Sequence, residues 1–152
     1  MFCVCARHIL SACLIAGCLA LLGGCAILNP SLTQASRTGA NCVDDSAQCL
    51  AERRTALNTI MADKSDSWVN QPPSATTDAS GVRLFAFKQR KRQLNCAQLR
   101  IGYREASTAR QRLRSSNNPD LTPALISRGA ILGDEVAREL KREMKRRRCK
   151  TA

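Results

Sequence analysis

The sequence predicts a small all-α domain of about three helices over residues 42–152, and three observations predict it. Leu125, Leu132, Val136, Leu140 and Met144 recur at spacings of four and seven with charges opposite, the pattern of a helix with one apolar stripe. Asn95 stands three places before Gln98, a capping-box arrangement, ahead of a second apolar face made by Leu99, Tyr103, Ala106 and Leu113. The run from Val82 to Lys88 (VRLFAFK) alone reads as a possible extended segment, and a single strand has no partner with which to form a sheet.

In chain order, residues 1–8 carry one Arg, one His and no acid, and sixteen uncharged residues follow from Ile9 to Gly24. A weakly basic start, an apolar centre and small residues before a cut are the layout of a signal peptide. The run is short of the roughly 20 apolar residues that a comfortable crossing needs. Its end, Leu22-Gly23-Gly24-Cys25, resembles the lipobox of bacterial lipoproteins: an aliphatic residue three places before a Cys, with two small residues between. The resemblance covers about 25 residues and implies diacylglycerol on the Cys25 thiol, cleavage before it and acylation of the new amino terminus. Ile15-Ala16-Gly17-Cys18 also fits, but cutting there would shorten the apolar centre and leave LALLGGCAIL on the mature chain, so Cys25 is preferred. Ala26, in place of Asp, matches the outer-membrane destination of the enteric sorting rule. Residues 25–41, the lipidated Cys and a Ser, Thr, Asn, Pro and Gly rich stretch, then read as anchor and flexible stalk.

Asp44, Asp45 and Ser46 offer an N-cap and favourable negative charge to a first helix running to about Lys64, with Leu50, Leu57, Ile60 and Met61 expected on its buried face. Residues 65–81 contain Pro72-Pro73 and many small polar residues, so they are expected to cross as a loop, pinned to the core by Trp68 and Val69. The second helix, capped by Asn95, should end near Arg114, where SSNNPDLTP breaks the chain. Thr122-Pro123 opens the third, Pro being suited to the first helical position, and Gly129 or Gly133 could bend or split it.

The mature chain holds Cys42, Cys49, Cys96 and Cys149, an even number that allows three connectivities. Large side chains are few, with Trp68, Tyr103, Phe85 and Phe87 the mature aromatics, so covalent staples would help a thin core. Antiparallel second and third helices favour the pairs Cys42–Cys49 and Cys96–Cys149. A mismatch of seven residues about Pro119 stands against the second pair, worth about 10 Å of helix, unless a glycine bend absorbs it.

Chemistry is scarce. The one histidine, His8, lies in the signal segment, so the mature chain has no imidazole for a catalytic pair or a zinc site. Six residues separate Cys42 from Cys49 with no second close pair, and Asp44-Asp45 and Asp134-Glu135 read as helix-start charges. No enzyme, no metal and no cofactor beyond the lipid on Cys25 are expected.

Charge remains. The chain carries a formal +12, and from Arg83 to Arg114 ten Lys or Arg face Glu105 alone, whereas residues 25–80 hold four bases and six acids. Lys88, Arg90, Lys91 and Arg92, with Lys145, Arg146, Arg147 and Arg148, are the candidate contacts for an anionic partner. For a periplasmic, outer-membrane lipoprotein the expected partners are the membrane, through the anchor, and an envelope protein complex. In size, anchor and stalk the chain looks like the small accessory lipoproteins of Gram-negative envelope machines, including those of outer-membrane protein assembly. Direct binding of lipopolysaccharide or peptidoglycan is the alternative. An uncleaved, membrane-tethered nucleic-acid binder is the third reading, and the preferred reading excludes nucleic acid.

Overall fold

The computed structural model describes residues 39–150, and the expectations for residues 1–38, Cys25 included, lie outside the described residues. Those described form helices without strands: α1 Ala47–Ala62, a 3-10 turn Ser67–Asn70, α2 Ala75–Ser80, α3 Val82–Arg90, α4 Cys96–Ser115 and α5 Pro123–Arg146. The all-α class holds, with more helices than the three expected. None of them is long and apolar enough to cross a membrane.

The long helices start where their caps stand. Ser46 Oγ accepts from Cys49 N–H at 3.1 Å, Asn95 and Gln98 complete their reciprocal box, and Thr122 caps the Pro123 start. α4 and α5 pack antiparallel, with Leu113 against Gly129 and Ala106 and Ala109 against Gly133. Gly129 and Gly133 do not break α5. They let it approach its neighbours: a Cβ at Gly133 would stand 2.9 Å from both the Ala106 carbonyl oxygen and the Ala109 Cβ.

Three expectations are corrected. The Val82 to Lys88 run is helical, not extended, and Val82, Leu84, Ala86 and Phe87 are all buried within α3. A short helix enclosed on nearly every side shows no period in its sequence, because no face needs to be polar. Residues 65–81 are more than a loop: Ser74 and Thr77 form a capping box for α2, and Gly81, at φ 74°, turns the chain directly from α2 into α3. In α1 Ile60 is buried and Leu57 packs against the core as expected, but Leu50 and Met61 stand 48% and 41% exposed, and Cys49 and Ala56 complete the buried face. Small Cys and Ala side chains admit the neighbours that Leu and Met would hold off. Trp68 and Val69 are buried as expected, with the indole 4.6 Å from the Phe87 ring between centroids.

The structure joins Cys42 to Cys49 and Cys96 to Cys149, with Cα atoms 5.6 and 5.5 Å apart. α5 runs unbroken through Gly129 and Gly133. The chain folds back after α5. Arg148, at φ 55°, takes the left-handed position of a Schellman motif, with Cys149 N–H donating to the Met144 carbonyl and Arg148 N–H to that of Lys145. That turn carries Cys149 back to the first residue of α4.

Two measurements follow from this packing. Gly133→Ala, although a better helix former, should destabilise the fold by about 1–3 kcal/mol through overpacking, read as a lowered denaturant midpoint; a raised midpoint would deny the close approach. Cys96 and Cys149 lie 53 residues apart and Cys42 and Cys49 only 7. Removal of the first pair by double Ala substitution should therefore cost about 4 kcal/mol and removal of the second about 2.

Candidate functional site

The basic residues singled out from sequence divide into two groups. Arg90 is buried and ties down the end of α1: Nη1 donates to the Asp63 carbonyl at 2.7 Å and the Ile60 carbonyl at 3.3 Å, and Nη2 stands 2.8 Å from Asp66 Oδ1. Arg147 does the same for the end of α3, donating to the carbonyls of Leu94 at 2.7 Å, Lys91 at 3.0 Å and Arg92. Carbonyls at helix ends lack intrahelical donors, and the planar guanidinium supplies several at once. Lys88 pairs with Glu135 at 2.7 Å, and Lys91 with Glu139, stitching α3 to α5. Arg146 binds Glu143 at 2.6 Å while its side chain remains 65% exposed.

Arg92, Lys145, Arg146 and Arg148 are the members of the predicted set that are exposed, together with Lys141, Arg142 and Lys150, which share that end of the domain. Between residues 136 and 150 there are eight bases and two acids, and both acids, Glu139 and Glu143, already hold bases. At the opposite end of α5, Arg128 pairs with Asp45 at 2.9 Å and donates to the Val43 carbonyl at 3.3 Å. Val43 and Asp45 therefore lie about 25 Å along α5 from the cluster around Lys145, while Gly39, the first described residue, packs against Glu52 and Ala56 of α1.

A second charged group lies inside. Arg83 grips Glu105 with two hydrogen bonds, Nε to Oε1 at 3.0 Å and Nη2 to Oε2 at 2.6 Å, both side chains being 3% exposed. Arg112 binds the fully buried Asp78 at 2.8 and 3.2 Å and also donates to the Glu105 carbonyl at 2.7 Å. Burial pushes the Asp78 and Glu105 carboxyls above their usual range, while Arg112 and Arg83 respectively pull them back. These residues link α2, α3 and α4. Nothing in their spacing along the chain announces them.

Two clefts flank Gln71-Pro72. One, of about 400 Å³, is lined by Val69, Pro73, Ile101, Arg104 and Thr108 among others, and the second, of about 410 Å³, by Ile60, Trp68, Ser74, Thr77 and Arg83 among others. Glu105 lines the first and Arg83 the second, so their ion pair stands in the wall between them. Cys42, Asp44 and Cys49 bring their ligand atoms within 4.8 Å of one another. With the two sulfurs bonded to each other, no thiolate is there to hold a metal.

Glu143 generates a pH prediction. The hydrogen bond from Arg146, ahead of that from Arg147, lowers its pKa to about 2. Its ordinary value is about 4.3. A depressed folded pKa contributes stability above the unfolded value, which is lost as pH falls toward the folded one. Glu143→Gln should therefore be less stable than the parent at pH 7, with the gap closing as both are titrated from about pH 4.3 toward 2. A gap independent of pH in chemical denaturation would rule this out. In comparisons with known proteins, no family model, no curated protein and no solved structure matches this chain.

Proposed function

We propose that this chain is a lipid-anchored periplasmic protein of the bacterial outer membrane, non-enzymatic, whose helical domain docks an acidic face of an envelope protein complex through its basic end. The anchor reading rests on Leu22-Gly23-Gly24-Cys25, with the lipid on Cys25. Two cysteine pairs at bonding geometry fit an oxidising compartment. The observation that carries the docking role is polarity along α5. The exposed bases Lys141, Arg142, Lys145, Arg146 and Arg148 gather at one end, while the basic Arg128 at the other is occupied by Asp45 and Val43.

Arg90 and Arg147, spent on backbone carbonyls, support the fold in this reading, and Lys88 and Lys91 are held by acids of α5. The contact set is then Arg92 with the exposed bases of the α5 end.

The test has two arms in the native host. Intact mass of the protein from membranes should give an acylated Cys25 terminus, and Cys25→Ser should leave an unprocessed chain. A photo-crosslinker at Lys145 should trap a discrete protein that Lys141→Glu/Arg148→Glu no longer captures. Crosslinking to lipopolysaccharide or peptidoglycan, lost steeply with added salt, would instead favour direct polymer binding. Residues 1–24 still present with free thiols would overturn the envelope reading.

A further inference from the structure

The cleft between Pro72-Pro73 and α4 has a chemistry distinct from the basic end. Its lining joins Val69, Pro72 and Pro73 to Ile101, Arg104 and Thr108 of α4. Those three α4 residues stand at i, i+3 and i+7, so one face of the helix forms a wall. In the other wall Gln71, at φ −70° and ψ 142°, keeps the chain extended, and the exposed Pro72 and Pro73 bring apolar rings and no N–H. The result is a mainly apolar cleft of about 400 Å³, within the range of small-ligand sites.

The charged groups of this lining are not equally free. Glu105 is held by Arg83, and Arg112 by Asp78 and the Glu105 carbonyl. Arg104 is exposed, and its guanidinium has no ion pair and no hydrogen bond among the described residues. It is therefore the one charge of the lining left to a ligand. A long side chain of this kind lays its methylenes along apolar surface while its charged head stays at the mouth. A purely polar anion would leave Pro72, Pro73 and Ile101 facing water, and an uncharged apolar molecule would leave Arg104 unused. A ligand with an apolar body and a single anionic head matches both.

We propose that this cleft binds a single-chain amphiphile with one anionic head, its tail lying against Pro72, Pro73 and Ile101 and its head held by Arg104. The site is independent of the basic end.

The test uses residues 25–152 with both disulfides intact and Cys25→Ser, which leaves the chain without lipid. Octanoate is titrated while the backbone amides of Asn70, Gln71, Arg104 and Thr108 are followed by NMR, with acetate as the head alone and 1-octanol as the tail alone. Saturable shifts at these amides are expected with octanoate, half complete at about 10 mM or below. Acetate should bind at least about tenfold more weakly for want of the tail, and octanol about threefold or more weakly for want of the charge. Arg104→Gln, a change on the surface, should bring octanoate down to the octanol level, while Lys145→Gln should leave its affinity unchanged. No saturable shift by about 50 mM octanoate overturns the proposal. Equal binding of octanoate and acetate, or full affinity in Arg104→Gln, overturns it as well. Shifts confined to residues around Lys145 would mark adventitious binding at the basic end and overturn it too.

Discussion

The contact on which the rest of the structure depends is the close approach of α4 and α5 at Gly133, Ala106 and Ala109. A chain with so few large side chains cannot fill wide gaps between helices, so its helices must lie near one another. Gly133 against the Ala106 carbonyl sets that distance, and Gly129 repeats the device one turn away against Leu113 and the backbone of α2. With the two long helices fixed, α3 is held in the angle beside them and brings Leu84, Ala86 and Phe87 into a common core with Leu99, Val136 and Leu140. Gly102 contributes in the same way, leaving room for the Phe87 ring. Where other small domains gain stability from bulk, this one gains it from proximity and two covalent links.

Proximity brings charges inside, and the basic composition acquires a second meaning. Arg83 and Arg112 cross from one element to another to meet Glu105 and Asp78, and Arg90 and Arg147 close the ends of α1 and α3. Burying an ion pair gains little over an apolar pair of the same volume, but removing one partner is costly. Such groups fix which helix sits where more than they add to net stability. The protein's positive charge is therefore partly structural glue and partly surface, and only the second part is open to a partner.

Elements with local signals were legible in the sequence. The Asn95 box, the Thr122-Pro123 start and the α5 stripe are each built from residues close together in sequence, and the structure places all three as read. The cysteine pairing was also reached from helix order, though the seven-residue mismatch was resolved by a left-handed turn at Arg148, where a glycine would have been the usual signal. What depended on tertiary surroundings was not legible. α3 is covered on nearly all sides and has no period to read, and α1 turned toward Cys49 and Ala56 because room, rather than hydrophobicity, decided its buried face. The carbonyls that Arg90 and Arg147 serve are 27 and more residues away, so a run of bases could not be told from a solvated cluster. Trp68 could be placed in the core, but that its buried indole N–H meets no acceptor among the described residues follows from the packing around it.

The order of the disulfides along the chain has a further consequence. Cys42 joins the next cysteine, Cys49, and Cys96 joins the next, Cys149, so neither loop encloses the other. Among the four described cysteines, an oxidase linking each to the next as the chain emerges amino terminus first would make the native pairs. Reshuffling of wrongly linked pairs takes seconds to hours and requires an isomerase to be quick. Consecutive connectivity removes that step, and maturation of this domain would draw on an oxidant alone.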